Sequence, residues 1–225
     1  MNHPESNQQT AVRIVLVDDH PVVLDGYRTL LSRQAQFEVC ATAGSAPEAL
    51  AAVEREHPHL VITDLTMPGR SGLDLIKDLA VIDPALKILV ISMHDEALWA
   101  ERALKAGAKG YVMKDCDSAT VVAAARVVLA GGIYLSPAMS ARVLGAFASS
   151  RPRGSSVSPL ETLSDREFEV FRLFGEGRSA KEIAAQLSIS PKTVAVHRDH
   201  IKDKIGFVTS AEMIRGAVRW VESHT

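Results

Sequence analysis

Short apolar segments alternate with amphipathic helical patterns along the first half of the chain. The segments are rich in Val, Ile and Leu and do not alternate with polar residues, which is typical of parallel strands buried on both faces. They lie at 12–17, 37–43, 60–63, 88–91 and 110–113. Helices are predicted between and after them, at 21–33, 46–56, 72–81, 96–106 and 118–130. The pattern predicts an α/β fold: a five-stranded parallel (βα)5 sheet in a small doubly wound domain.

A Ser-, Pro- and Gly-rich segment, SSRPRGSSVSP at 149–159, divides the chain. It has few large apolar side chains, which is typical of a flexible linker. We therefore expect a first domain at 11–135, a linker with a short helix at 136–160 and a second domain at 161–225.

The second domain shows no strand pattern, and its periodicity predicts four helices. Ser164 and Glu167, like Ser179 and Glu182, have the spacing of a capping box, in which each side chain satisfies a free N–H of the first helical turn. A helix beginning at Pro191 follows a short turn after the second of these helices. This arrangement predicts an all-α tetrahelical helix-turn-helix domain.

Composition excludes several classes of protein. The chain has only two cysteines, Cys40 and Cys116, which excludes a disulfide scaffold and favours a reducing, cytoplasmic setting. No apolar run is long enough to cross a bilayer, and the polar N-terminus lacks the features of a secretory signal, so no membrane association is expected. Residues 151–225 hold 12 Lys and Arg against 10 Asp and Glu, whereas the rest of the chain is acidic. The uneven charge hints at two separate tasks.

Polar side chains follow four of the five predicted strands, at the point where each strand ends. They are Asp18 and Asp19 after the first, Asp64 after the third, Ser92 after the fourth and Lys114 after the fifth. Because the carboxyl ends of parallel strands meet in one crevice, we expect these side chains to lie together. Three close carboxylates repel one another, so the pocket requires a proton or a bound cation. Oxygen ligands of this kind suit Mg²⁺.

Asp64 is the best candidate for a nucleophile in this pocket. A carboxylate beside Mg²⁺ can attack phosphorus and form an acyl phosphate, while Lys114 and Ser92 help to neutralise the phosphoryl oxygens. A tight turn at 66–69 predicts that Asp64 is exposed. Considered alone, Asp18 and Asp19 could instead cap the helix that begins near residue 21.

The order of these residues resembles the receiver domain of two-component response regulators, over about residues 11–131. The resemblance implies that Asp64 accepts a phosphoryl group from a sensor histidine kinase. It implies that Asp19 and Asp64 bind Mg²⁺ directly with the backbone carbonyl of Thr66, and that Asp18 helps through water. Lys114 would pair with the phosphate, and Ser92 and Tyr111 would be the switch residues.

The two switch residues have a physical role in this reading. A phosphoryl group adds negative charge and acceptor oxygens, so the Ser92 hydroxyl can move to bond it. The Tyr111 ring would then rotate inward, which remodels the face around 97–106 and 118–130. A half-buried Tyr111 with a satisfied hydroxyl is the structural alternative.

The predicted helix that begins at Pro191 has two distinct faces. Val194, His197, Ile201 and Ile205 share one face and are predicted to be core, with His197 packed rather than ligating a metal. The other side is predicted to meet DNA in the major groove. Its candidate DNA-binding residues are Lys192, Thr193, Ala195, Val196, Arg198, Asp199 and Lys202.

Residues 163–207 are similar to the helix-turn-helix of LuxR/NarL-type regulators, from Leu163-Ser164 through Lys181-Glu182-Ile183-Ala184 to Gly206. The resemblance implies double-stranded DNA as a partner. Ala195 stands where the family usually has lysine, and Asp199 where a polar or basic contact is frequent. An aspartate at that place could accept a hydrogen bond from cytosine N4. We therefore expect weaker non-specific DNA binding than is usual in the family.

Nearly the whole chain thus resembles a NarL/FixJ-class response regulator, a phosphorylation-activated transcription regulator rather than an enzyme with multiple turnovers. A homodimer is expected on phosphorylation. The helix at 211–221, with Met213, Ile214, Val218 and Trp220, is either a dimer element or part of the domain core. Two alternatives remain open at this point. One is an aspartate-nucleophile phosphatase of the haloacid dehalogenase type, and the other is a binding module whose receiver is no longer phosphorylated.

Overall fold

The computed structural model describes residues 11–67, 70–148 and 159–223. The chain divides after Arg142 into two compact units. The Ser-, Pro- and Gly-rich segment predicted as a linker lies outside the described residues, apart from Pro159. Within the described ranges, no helix is long and apolar enough to span a membrane.

The first unit alternates strands and helices as predicted. Its elements are β1 (Val12–Val17), α1 (Pro21–Ser32), β2 (Phe37–Ala43), α2 (Ala46–Glu56), β3 (Leu60–Thr63), α3 (Gly72–Ile82), β4 (Lys87–Ser92), α4 (Glu96–Ala106), β5 (Gly110–Met113) and α5 (Ser118–Leu129). A further helix, α6 (Pro137–Ala148), begins in this unit. The predicted bounds differ from these by one residue at most.

The five strands form one parallel sheet in the order β2-β1-β3-β4-β5. This order reverses direction between β1 and β3, which makes their carboxyl ends the place where doubly wound sheets bind ligands. β3 is buried along its whole length, as predicted. The prediction that β2 is buried on both faces was wrong. It is an edge strand, and only Phe37 and Ala43 are buried in it.

The helix ends follow local capping chemistry. Ser45 caps α2 and Asp117 caps α5, each accepting a hydrogen bond from a backbone N–H of the first turn. Gly107 ends α4 with a φ of 125°, a conformation that costs glycine little. These signals explain why the predicted bounds and the observed ones agree so closely.

The second unit is helical throughout its described part. After a 3-10 turn at Pro159–Thr162, it contains α7 (Asp165–Gly175), α8 (Ala180–Gln186), α9 (Pro191–Ile205) and α10 (Ser210–Glu222). Both predicted capping boxes are present, and a third one, Thr209 with Glu212, starts α10. The four predicted helices are therefore confirmed.

The core of the second unit is built by α7, α9 and α10. Val194 and Ile201 of α9 are fully buried, as predicted, whereas His197 and Ile205 are half-buried. Trp220 of α10 packs against Phe168 and Phe171 of α7, with ring centroids 5.5 and 5.9 Å apart. Trp220 and the fully buried Met213 thus belong to the core of their own domain.

Candidate functional site

A lysine bridges two carboxylates at the carboxyl edge of the sheet. Lys114 Nζ donates to Asp18 Oδ2 at 2.6 Å and to Asp64 Oδ2 at 2.8 Å. Lys114 follows β5, Asp18 follows β1 and Asp64 follows β3, so the parallel sheet brings together residues up to 96 positions apart. The predicted convergence of these three side chains is what the structure shows.

Asp64 is held firmly and is buried, at 5% exposure. Its N–H donates to the Val17 carbonyl at 3.0 Å, and its Oδ1 accepts from the Leu65 N–H at 2.6 Å. The prediction that the following turn leaves Asp64 exposed was wrong, because Lys114 and Asp18 lie against the carboxylate. Pro68 and Gly69 of that turn lie outside the described residues.

Gly72 allows the chain after Asp64 to fold back closely. A Cβ at this position would lie 2.6 Å from the Asp64 carbonyl oxygen and 2.6 Å from Leu65 Cα. The Gly72 N–H donates to the Leu65 carbonyl at 3.0 Å, which closes the loop between β3 and α3. A side chain at Gly72 would therefore displace the backbone that positions Asp64.

The acidic pair at the end of β1 does not cap the following helix. The N-cap of α1 is His20, and it makes no side-chain capping bond. Asp18 Oδ1 instead accepts from the His20 N–H at 2.9 Å, and its other oxygen faces Lys114. The Asp18 carboxylate thus lies in the crevice with Lys114 and Asp64, as the strand-end pattern predicted.

The residues of this pocket fit a hard divalent cation. Asp19 Oδ1 is buried and makes no hydrogen bond, although His20 Nδ1 lies 2.8 Å from it. Potential ligand atoms of Asp18, Asp19 and His20 lie within 4.8 Å of one another. A buried carboxylate oxygen without a donor is costly, and a bound cation would satisfy it. Sequence reasoning missed His20, whose ring nothing in the strand-end pattern singles out.

The two predicted switch residues are linked through the loop between β4 and α4. Ser92 and Tyr111 are both fully buried. The Tyr111 hydroxyl donates to the His94 carbonyl at 2.7 Å, and the His94 N–H lies 3.3 Å from Ser92 Oγ as its donor. Tyr111 is therefore more deeply buried than the half-buried alternative, and the inward position of its ring is the one in this structure.

His94 is a second residue that sequence reasoning missed. Its Nε2 lies 2.7 Å from Thr66 Oγ1, and its ring stacks on Trp99 of α4 at a centroid distance of 4.9 Å. Thr66 lies two residues after Asp64, so His94 connects the loops that follow β3 and β4. The Thr66 side chain makes this contact, whereas the resemblance assigns the Thr66 backbone carbonyl to Mg²⁺. A lone histidine in a loop gave no periodic or spacing signal.

Burial and hydrogen bonding change the pKa values of two groups here. Burial lowers the pKa of Lys114, but the hydrogen bonds and charges of Asp18 and Asp64 outweigh it and raise the pKa above its ordinary value. Burial raises the pKa of Tyr111 strongly. Lys114 is therefore a permanent cation at neutral pH, and Tyr111 is a permanent hydrogen-bond donor.

The second candidate site lies on α9 of the other unit. Val196 is 45% exposed, and Lys192 and Asp199 are exposed as well. Thr193 is half-buried, and its N–H and hydroxyl both lie within hydrogen-bond distance of Ser190 Oγ, the N-cap of the helix. Ala195, Arg198 and Lys202, the remaining candidate DNA-binding residues, are half-buried.

Three of the positive charges of α9 lie near carboxylates. Arg198 Nη2 lies 3.4 Å from Asp199 Oδ1, and Lys202 Nζ lies 3.6 Å from Asp203 Oδ1. Lys204 Nζ donates to the buried Glu167 of α7 at 2.6 Å and so holds the helix to its own domain. The surface that faces away from the core is consequently close to neutral.

Two family descriptions match the two units separately. Residues 14–126 match "Response regulator receiver domain", and residues 161–217 match "Bacterial regulatory proteins, luxR family". The matches together span the strand-end site and the helix-turn-helix.

One relative aligns over nearly the whole chain, and a solved structure aligns over about three fifths of it. The chain is 34% identical over 211 residues to the oxygen regulatory protein NreC of Staphylococcus carnosus, covering 92% of this chain and 97% of that protein. Among solved structures, it is similar to a LuxR-family two-component response regulator from an Aurantimonas species, with 37% identity, a TM-score of 0.58 and 62% of this chain and 100% of that chain covered.

A third relative has been solved on DNA. The RcsB structure from Salmonella enterica serovar Typhimurium, bound to promoter rprA with the phosphomimetic BeF3⁻, is 26% identical. It has a TM-score of 0.62, with 91% of this chain and 97% of that chain covered. The chain therefore belongs to the LuxR-type response regulators, the phosphorylation-activated DNA-binding transcription regulators of two-component systems.

Proposed function

We propose that Asp64 is the phosphoryl acceptor of this regulator and that a sensor histidine kinase is the donor. The observation that carries the proposal is the hydrogen-bonded set of Asp18, Asp64 and Lys114 at the switch point of the sheet. Asp64 Oδ1 is occupied by the Leu65 N–H. Oδ2 accepts from Lys114, and we assign it as the nucleophile because this ammonium can neutralise the phosphoryl oxygens.

In the proposed transfer, Asp64 is the only side chain of this protein that forms a covalent bond to phosphorus. Asp64 Oδ2 forms a bond to phosphorus while the bond between phosphorus and the histidine nitrogen of the kinase breaks, which gives an acyl phosphate and a free histidine. Lys114, 2.8 Å from Asp64 Oδ2, neutralises the developing charge on the phosphoryl oxygens. Ser92, at the end of β4, would supply a hydroxyl to the same oxygens.

Mg²⁺ is the cofactor that this donor set suits. Asp19, Asp64 and the backbone carbonyl of Thr66 would hold it, with Asp18 assisting through water. When bound, the ion neutralises the carboxylates and the phosphoryl oxygens. Asp19 Oδ1, which is buried and accepts no hydrogen bond, supports this assignment.

The acyl phosphate would control DNA binding by the second domain. The functional boundaries we propose are 11–135 for the receiver, 136–160 for the linker and 161–225 for the DNA-binding domain. Residues on the outer side of α9 would meet the major groove: Lys192, Thr193, Ala195, Val196, Arg198, Asp199 and Lys202. We propose a cytoplasmic protein that forms a homodimer on repeated half-sites when phosphorylated. Its own chemistry is a single phosphotransfer followed by hydrolysis.

The test is stoichiometric modification followed by DNA binding. Wild type, Asp64→Asn and the control Asp74→Asn are treated with acetyl phosphate and Mg²⁺, and the intact mass and the affinity for duplex DNA are measured. Asp74 lies in the first turn of α3 with an exposed side chain, so its variant should behave as wild type. We expect one phosphoryl group on wild type and Asp74→Asn, none on Asp64→Asn, and tighter DNA binding only where the group is present.

Three results would contradict the proposal in different ways. Phosphorylation of Asp64→Asn would show that another residue is the phosphoryl acceptor. Many turnovers of a phosphomonoester would favour a phosphatase. Modified wild type with unchanged DNA affinity would favour a binding module that phosphorylation does not control.

A further inference from the structure

The chain that leaves α5 returns to the edge of the receiver sheet. Tyr134 forms a parallel bridge with Gly110, its N–H donates to the Lys109 carbonyl at 3.0 Å, and its carbonyl accepts from the Tyr111 N–H at 2.9 Å. We call residues 132–142, between α5 and the end of the first unit, the return segment. It is the part of the receiver from which the chain continues towards the DNA-binding domain.

A buried glutamate ties the return segment to α4. Glu96 is the first residue of α4 and is only 8% exposed, which is unusual for a charged side chain. Its Oε1 accepts from the Ser136 N–H at 2.8 Å. Met139 of the same segment is buried, and Arg142 Nη1 donates to the Ala97 carbonyl at 3.3 Å. The segment is thus fixed to the first turn of α4 as well as to β5.

These contacts close a circuit with the switch residues. Tyr111 bonds the return segment through its backbone N–H and bonds the His94 carbonyl through its hydroxyl. Three residues separate Ser92 from Glu96 in the sequence. A shift of Ser92 towards a phosphoryl group on Asp64 would therefore displace Glu96, which holds the Ser136 N–H. The same shift would reach Tyr111 through its hydrogen bond to the His94 carbonyl.

We propose that Glu96 is a positioning residue that couples phosphorylation at Asp64 to the return segment, and through it to DNA binding. The inference rests on the proposed function, because it concerns how that switch is transmitted. Glu96 touches neither the phosphoryl group nor DNA. It acts by holding the Ser136 N–H, so that the loop between β4 and α4 and the start of the linker change position together.

The variants Glu96→Ala, Glu96→Gln and Glu101→Ala test the coupling in the full chain. Gln keeps an acceptor oxygen for Ser136, and Glu101 lies on the same helix with a side chain that is 61% exposed. Each protein is titrated with a DNA duplex enriched from a random pool by the beryllofluoride-treated wild type, with and without beryllofluoride and Mg²⁺. The measured quantity is the ratio of the two affinities.

Allosteric coupling typically gives a ratio of about 5–150-fold. We expect that ratio for wild type, Glu101→Ala and Glu96→Gln, and a ratio within about twofold for Glu96→Ala, although this variant still binds beryllofluoride. If Glu96→Gln keeps the full affinity ratio, Glu96 acts by positioning the Ser136 N–H, and its negative charge is not required. A full ratio in Glu96→Ala overturns the proposal.

Hydrogen exchange on wild type provides a test that needs no variant. Beryllofluoride should change the protection of the Ser136 and Tyr134 amides, because both lie in the circuit. Unchanged protection at both amides overturns the coupling even if DNA affinity responds. If DNA affinity does not respond but the two amides do, the proposed function fails and the coupling within the receiver stands.

Discussion

The Lys114 ammonium lies 2.8 Å from Asp64 Oδ2, and the same ammonium lies 2.6 Å from Asp18 Oδ2. With side chains 11%, 5% and 4% exposed, the three groups form a buried cluster with one positive and two negative charges. A cluster of this composition is held by its lysine and still has negative charge to attract a cation.

Replacing Lys114 should make folding depend on magnesium. Lys114→Met leaves Asp18 and Asp64 buried without their cation, so the free energy of unfolding should fall by about 3 kcal/mol in EDTA. Mg²⁺ should restore a large part of the loss, because the ion takes over the neutralisation. Urea unfolding with and without Mg²⁺ measures both effects. The control is Lys109→Met, at an exposed position. If Mg²⁺ does not change the free energy of unfolding of Lys114→Met, the proposed cation site is contradicted.

A second prediction concerns which base Asp199 reads. A carboxylate accepts from cytosine N4, whereas an asparagine pairs with adenine N6 and N7. Asp199→Asn should therefore shift the preference at one position of the half-site from cytosine to adenine, by about 1–3 kcal/mol. Selection from a random DNA pool, followed by titration of single-base variants, measures the shift. An unchanged preference at every position would show that Asp199 reads no base.

The salt dependence of DNA binding follows from the paired charges of α9. Arg198 and Lys202 already lie near carboxylates, so wild type should show a slope of log K against log[salt] smaller in magnitude than about 8. Ala195→Lys adds one cation on the outer side, and the slope should steepen by about 0.9 with tighter non-specific binding. The control is the exposed Ala211→Lys on α10. A wild-type slope beyond about 8 would contradict the near-neutral surface.

His197 makes the stability of the DNA-binding domain depend on pH. Burial and the charge of Arg166 lower the pKa of His197 below its ordinary 6.5; the charge of Glu167 opposes them, and that of His200 lowers the pKa further. Its Nδ1 is buried without a hydrogen bond. The unfolded chain therefore binds a proton first, and stability should fall as the pH drops through 6.5 towards the lowered value.

Hydrogen exchange of the α7 amides in the full chain, between pH 7.5 and 5.5, measures this loss. His197→Gln should remove most of the dependence in that window. Glu167 has a pKa lowered by Lys204 and Ser164 in spite of its burial, so its contribution is lost only below the ordinary 4.5. An equal pH dependence in His197→Gln would assign the effect to another group.

The packing of α7 against α10 has no room for a side chain at Gly175. A Cβ there would lie 2.6 Å from the Ala217 carbonyl oxygen and 2.6 Å from Val221 Cγ2. Gly175→Ala should lower the free energy of unfolding of the second domain by about 1–3 kcal/mol. Gly26→Ala, on α1 with nothing within 4 Å of the added Cβ, should be neutral or slightly stabilising. Thermal unfolding of both variants makes the comparison.

The site at the strand ends could be predicted because it depends only on which residues follow each strand in the sequence. A parallel sheet brings every carboxyl end to one edge, so the positions of Asp18, Asp64 and Lys114 in the sequence were enough to predict their meeting. Capping boxes such as Ser164 with Glu167 were equally local. The family resemblance then supplied roles for Ser92 and Tyr111 that spacing alone does not give.

The residues that sequence reasoning missed act through tertiary contacts. His94 contacts Thr66, which is 28 positions away in the sequence, and Glu96 contacts Ser136, which is 40 positions away. Neither pair produces a periodic pattern in the sequence. The burial of Asp64 was mispredicted for the same reason. A turn suggests exposure until the side chains that cover it are known, and those come from two other strands.

The return of Tyr134 to β5 has a consequence for association between molecules. A free strand edge presents unpaired N–H and C=O groups, and a strand of another molecule can pair with them. Tyr134 satisfies the outward N–H of Tyr111 and the outward carbonyl of Lys109, so this border of the receiver is shielded from such strand addition. The opposite border is β2, where the exposed Glu38 repels an incoming acidic copy. Unwanted β-type aggregation of the receiver would thus have to begin at β2, and loosening the segment around Tyr134 would open a second starting point.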